Sequence, residues 1–111
     1  MIEFDVSTDD RGIGVVAPQG RLNMVSARRL REVLGELVEA GTTRIVVDLG
    51  ATTFLDSSGL GALIAGLKSA RQAGGDLQVA RPTPEVLSVF ELTNLDKVLR
   101  PRASVAEAFG G

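Results

Sequence analysis

The chain has no cysteine, no histidine, no tryptophan and no tyrosine. Without cysteine there is no disulfide, no thiolate nucleophile and no sulfur ligand for a metal. Without histidine there is no imidazole base, no His-ligated metal and no switch titrating near neutrality. The missing Trp and Tyr remove the usual stacking platforms for nucleic-acid bases, leaving four Phe. Basic excess is missing too: 12 Lys and Arg face 14 Asp and Glu, for a net charge of −2, which argues against direct nucleic-acid binding. No apolar run approaches the ~20 residues that span a bilayer. The first residues, MIEFDVSTDD, are acidic and poor in apolar side chains, unlike a signal peptide. These absences lead to the expectation of a cytoplasmic protein with no membrane contact, no metal and no cofactor.

What remains is an ordinary core-forming composition, 44% hydrophobic and 23% charged over 111 residues. That length suggests a single domain over 1–111, large enough to bury roughly two-thirds of its unfolded surface. Ile2, Phe4 and Val6 alternate with polar residues, the period of a strand with one buried face. DDRG at 9–12 signals a turn and 13–20 a second strand, so the chain opens with a hairpin. Pro18 places part of that strand near an edge or bulge. Leu30, Val33, Leu34, Leu37 and Val38 form a helical stripe within 24–40, with Asn23 as N-cap and Gly41 just past the end. RIVVDL at 44–49 reads as a buried strand, GATTFLD at 50–56 as a loop, and 77–80 as a further strand.

A helix begins near Ser57, carries Leu60, Leu63, Ile64 and Leu67 toward the core, and stops at Gly74–Gly75. Thr83 and Pro84 open another helix over 83–92. KVLR at 97–100 suggests a last short strand, and Ser104 with Glu107 suggests a capping box for a last helix over 104–109. The order β-β-α-β-α-β-α-β-α predicts an α/β fold: a mixed, mainly parallel sheet of about 4–5 strands with helices packed on a face.

Candidate chemistry concentrates in one place. No phosphate-binding loop of the form G-x-x-x-x-G-K-[ST] exists. GLGALIAG approaches a dinucleotide fingerprint, but Ile64 stands where the third glycine is needed. A serine hydrolase would need Lys68 or Lys97 as base. Lys68 is 11 residues beyond Ser57, roughly 16 Å along a helix, too far for proton transfer. Asp9 and Asp10 read as solvated turn residues and Asp48 as a loop cap at a strand end. No catalytic residue is expected. What is left is Asp56-Ser57-Ser58-Gly59 at a helix start, where Asp and Ser are also ordinary caps.

Read as a whole, FLDSSGLGALIAGLKSARQAGGDLQVARPTPEVLSVFELTNLDKVL resembles the STAS domain, and in particular the bacterial anti-sigma factor antagonists (anti-anti-sigma factors). The similarity extends over GRLN and RIVVDLGATTFLDSSGLG to VFELTNLDKVL, nearly the whole chain. The resemblance implies a single STAS-type domain, with helices mostly on one face of a small mixed sheet. It also implies a partner-switching regulator of transcription in a stress response. The unphosphorylated form would bind an anti-sigma factor of the serine/threonine kinase type and free a sigma factor. Phosphorylation of Ser57 would switch binding off, and a PP2C-type phosphatase would restore it.

Asn23, Asp56, Ser57, Ser58 and Gly59 would form the partner-binding surface of a monomer or weak dimer. Ser58 is expected to bond backbone at the helix start, and Gly59 to allow close approach of another backbone. Asn23 stands where family members often carry Asp, which removes one negative charge while keeping a good cap. The alternative within the same fold is a non-switching STAS scaffold or a small subunit associated with a transporter.

Overall fold

The alternation around Phe4 does form a strand. In the computed structural model, which describes residues 3–110, β1 (Glu3–Thr8) and β2 (Gly14–Leu22) pair antiparallel as the expected hairpin. Ile2 lies outside the described residues. Phe4 packs against the core, but Val6, expected on the same buried face, is 48% exposed because β1 is an edge strand. Between the strands Gly12 takes φ +77°, a backbone conformation only glycine adopts freely. The Asp9 carboxylate accepts N–H bonds from Arg11 at 2.8 Å and Ile13 at 3.0 Å.

After β2 come α1 (Met24–Glu39), β3 (Arg44–Asp48), β4 (Thr52–Leu55), α2 (Ser57–Gln72), β5 (Asp76–Ala80), α3 (Pro84–Leu92) and α4 (Asp96–Leu99). A 3-10 helix over Val105–Gly110 follows. Three expectations are corrected. Residues 50–56 are not all loop: Thr52–Leu55 is a strand, parallel to β2 with Leu55 opposite Leu22. Residues 97–100 are not a strand, because α4 continues from α3 through a kink at Asn94 (φ +60°). The last helix is broken: Ser104 accepts the Glu107 N–H at 3.3 Å, as a cap should, but Ala108 and Phe109 leave helical geometry.

The sheet runs β1-β2-β3-β5, and β4 lies off this path, paired with the last residues of β2. Among the described residues only the β1–β2 pair is antiparallel. β2 pairs β3 through Gly14–Val16 and β4 through Gly20–Leu22. Pro18 falls in the gap between those two partners, where its missing N–H leaves no ladder bond unmade. The Pro18 carbonyl is taken up by the Thr52 hydroxyl at 2.9 Å.

The helices lie mostly on one face. Leu22, Leu30, Leu34, Leu63, Leu77 and Phe90 share one buried cluster there, with Leu67 beside them and Leu60 and Ile64 only partly buried. The opposite face is smaller: Ile13, Val46, Ala80 and Ala108, covered by the 3-10 helix. Gln78, 3% exposed on that face, holds the segment by accepting from Arg102 Nε and Phe109 N–H, both at 3.3 Å.

Arg11 completes this latch. It pairs with Asp9 at 3.0 Å and donates to the Ala108 carbonyl at 2.7 Å. Burial pushes the Asp9 carboxyl up, but the N–H bonds from Ile13 and Arg11 and the Arg11 guanidinium outweigh it and hold its pKa below the ordinary 3.8. A folded pKa below the unfolded one means the unfolded chain takes up protons first as pH falls. The stabilisation is therefore complete above 3.8 and is lost as pH drops through the folded value. Asp9→Asn should lower the melting temperature at neutral pH and flatten its fall below about pH 4, measured by far-UV circular dichroism. An unchanged acid slope would mean the pair contributes nothing.

Candidate functional site

The parallel pairing of β2 with β4 places two helix starts side by side. Leu22 and Leu55 are register partners, and the Asp56 N–H donates to the Leu22 carbonyl at 3.3 Å. Asn23 and Asp56, 33 residues apart in sequence, therefore cap α1 and α2 on the same carboxyl edge of the sheet. Strand ends of this kind are where α/β proteins gather ligands and partners.

Asn23 is the cap it was expected to be. Its Oδ1 accepts from Val25 N–H at 3.1 Å and Ser26 N–H at 3.3 Å, while Asn23 N–H donates to Ser26 Oγ at 2.9 Å. The buried Ser26 hydroxyl then donates to the Arg21 carbonyl at 2.7 Å, tying the cap to the strand. On α2 the cap is Asp56, whose Oδ1 accepts the Gly59 N–H at 3.0 Å. This corrects the expectation for Ser58: among the described residues neither the Ser57 nor the Ser58 hydroxyl makes an intramolecular hydrogen bond, because Asp56 already does that work.

Ser57 is exposed and Ser58 half-buried. Gly59 is buried, and its close backbone neighbour is internal. A Cβ there would lie 2.8 Å from the Leu22 carbonyl oxygen. Gly59 thus lets α2 settle against the end of β2, and does not itself face outward.

Exposed apolar groups surround this edge, and the motif gave no sign of them. Met24 is 70% exposed, Val25 79% and Phe54 40%. Arg21 lies over the Phe54 ring, 4.6 Å from its centroid, a cation–π contact. A signal for two of these was present in the sequence: Met24 and Val25 fall off the Leu30–Val38 stripe, so the helix turns them away from the core. Beside them an open cleft of about 650 Å³ runs along Phe4, Gln19, Arg21, Val25 and Arg29. An apolar patch rimmed by cations suits a protein partner with acidic groups around an apolar contact.

Asp48 lies at the end of β3 and caps the Gly50 N–H at 3.0 Å, as expected. It also grips Arg81 in a two-pronged pair, both contacts at 2.9 Å, and that hydrogen bond raises the Arg81 pKa. The pair closes the β3 and β5 ends. Among the described residues no three acidic side chains converge as a metal cluster would require, and no helix is long and apolar enough to cross a membrane.

Known proteins align with this architecture from the hairpin to the last turn. The STAS domain family model matches residues 6–108. The anti-sigma-F factor antagonist RsfB of Mycobacterium tuberculosis is 32% identical over 103 residues, covering 93% of this chain and 84% of that protein. The anti-sigma-B factor antagonist of Staphylococcus aureus is 30% identical over 98 residues, covering 88% and 90%. The crystal structure of an anti-sigma factor antagonist from Mycobacterium paratuberculosis superposes with a TM-score of 0.86 at 30% identity, covering 97% and 91%. On a match of that extent, the chain belongs to the STAS domain family, among its anti-sigma factor antagonists.

Proposed function

We propose that this protein is a cytoplasmic, non-enzymatic switch that binds an anti-sigma factor which is also a serine/threonine kinase. Unmodified, it holds that partner and a sigma factor goes free; phosphorylated on Ser57, it lets the partner go. The observation that carries this reading is the Ser57 hydroxyl. It is exposed, opens α2, makes no internal hydrogen bond among the described residues and shares an edge with the exposed Met24, Val25 and Phe54. The names of the relatives, antagonists of anti-sigma-F and anti-sigma-B factors, supply the class of partner.

In the transfer step Ser57 Oγ attacks the γ-phosphorus of ATP held by the partner. The Oγ–P bond forms as the P–O bond to ADP breaks. The hydroxyl proton goes to a base of the kinase, this chain having no histidine to take it. A metal-dependent PP2C-type phosphatase reverses the modification with water, releasing inorganic phosphate.

The phosphate adds about −1.5 to −2 charge. A helix start tolerates it, because the first-turn N–H groups of Ser57 and Ser58 are free of intrahelical partners and the dipole favours an anion. The domain therefore stays folded, and the cost falls on the partner, which must desolvate a dianion against an apolar patch. A loss of about 3 kcal/mol is more than 100-fold in affinity.

The test is incubation with purified kinase-type anti-sigma factors and ATP, read by intact mass. A single phosphate is expected on the wild type and none on Ser57→Ala, which should still fold and bind. Ser57→Glu should weaken binding by about 100-fold. Labelling that persists in Ser57→Ala would overturn the assignment. No labelling at all, together with binding to a transporter subunit, would favour the alternative of a non-switching scaffold or a small subunit associated with a transporter.

A further inference from the structure

α1 and α2 run in the same direction, with Leu34 against Gly66 and Arg31 against Gly61. At the second contact, a Cβ on Gly61 would lie 3.2 Å from Arg31 Nη2. Gly61 is one turn beyond Ser57 on the same face of α2. Cβ vectors tilt toward a helix's N-terminus, so the guanidinium hangs over the turn that Ser57 begins. Long helical side chains also lean back toward their own N-terminus, which for Arg31 is the edge where both helices start.

Most other arginines are occupied. Arg11, Arg29, Arg71, Arg81 and Arg100 have carboxylate partners. Arg21 and Arg44 stand over Phe rings, and Arg102 donates to Gln78. Arg31 makes no ion pair or hydrogen bond among the described residues. It is a cation without an anion, packed one helical turn from the one hydroxyl proposed to become anionic.

We infer that Arg31 is a positioning residue of the switch: its guanidinium receives the phosphate carried by Ser57. This rests on Ser57 as the phosphoacceptor. The pairing answers a problem the turn sets for itself. A phosphate on Ser57 stands next to the Asp56 carboxylate, which cannot move away because it caps Gly59. Like charges so close oppose the dianion. A guanidinium above the phosphate offsets that repulsion, binds the phosphate oxygens through its fork of N–H donors and fixes where the new charge points. It also draws the anion toward the α1 side, where Met24 shares a face with Arg28 and Arg31.

The test uses protein made with phosphoserine encoded at position 57, so that no kinase is needed. The second phosphate pKa is followed by phosphorus NMR as pH is varied. Pairing with a cation lowers that pKa. The wild type should titrate roughly 0.3 to 0.7 unit below Arg31→Ala at low salt, and the gap should close as salt screens it. Arg31→Lys should recover part of the gap. Arg28→Ala, which removes the neighbouring arginine of the same helix face, should titrate like the wild type. Arg31 is exposed, so the variants should melt alike by circular dichroism. Identical titration of wild type and Arg31→Ala would overturn the inference, as would an equal shift in Arg28→Ala. Failure of the kinase to label Ser57 would instead sink the parent reading while leaving this titration intact.

Discussion

Phe90→Ala should remove a large part of the protein's margin of stability, costing about 4 kcal/mol of a total expected near 5–15 kcal/mol. Phe90 is fully buried and belongs to the same cluster as Leu22, Leu55, Leu63 and Leu99. It is the largest side chain among those fully buried. α3 is only nine residues long and packs on β4, the four-residue strand that leads into Asp56 and Ser57. So short a helix holds its place through this apolar contact and not through its own propensity. The ring's removal leaves a cavity under β4 that its neighbours fill only in part. Phe90→Leu keeps most of the volume and should cost about 1 kcal/mol. The chain has no Trp or Tyr to report by fluorescence, so urea unfolding is followed by far-UV circular dichroism. A loss below about 1 kcal/mol for Phe90→Ala would show that α3 is not anchored by this ring.

The elements that were legible in advance are those whose signals are local. α1 announced itself through Asn23, the Leu30–Val38 stripe and Gly41, which takes φ +92° as a helix-ending glycine does. α2 was bounded by Asp56 and by Gly74, at φ +89°. β4 was not legible because TTFL is four residues long, only its end residues are buried, and its partner Leu22 lies 33 positions away. Nothing within 50–56 encodes that pairing. KVLR has the β-branched, apolar look of a short strand, yet its backbone is set by what precedes it. Leu95 N–H donates to the Phe90 carbonyl across the end of α3, and Asn94 turns the chain into α4.

The same division runs through the site. Asp56 to Gly59 is a contiguous motif and was readable as such. That Asn23 stands beside it, that Phe54 is exposed around it, and that Asp48 holds Arg81 all follow from tertiary pairing. Local reasoning also divided the two serines wrongly. It gave Ser58 a capping bond that only the Asp56 carboxylate makes.

Gly59→Val should both destabilise the fold and disable the edge. The new Cβ would lie 2.7 Å from Leu55 Cδ1, 2.8 Å from the Leu22 carbonyl oxygen and 3.2 Å from Leu22 Cγ. A leucine methyl can rotate away. The Leu22 carbonyl cannot, because it sits in the β2–β4 pairing and accepts the Asp56 N–H. α2 must therefore lift off the strand end, which also pulls Gly59 N–H from the Asp56 cap. Overpacking of this kind costs about 3 kcal/mol, against a gain of only a few tenths from replacing glycine within a helix by valine. Gly59→Ala meets the same oxygen with a smaller group and regains about 1 kcal/mol of helix propensity, so it should be the milder variant. Because the lift occurs at Ser57 and Ser58, amide hydrogen exchange at residues 57–60 should accelerate more than in the rest of α2. Affinity for the proposed kinase-type partner should fall even at temperatures where the variant remains folded. Wild-type stability for Gly59→Val would mean that the two helix starts are free to move apart, and that their shared edge is not the rigid surface on which a single added phosphate can decide binding.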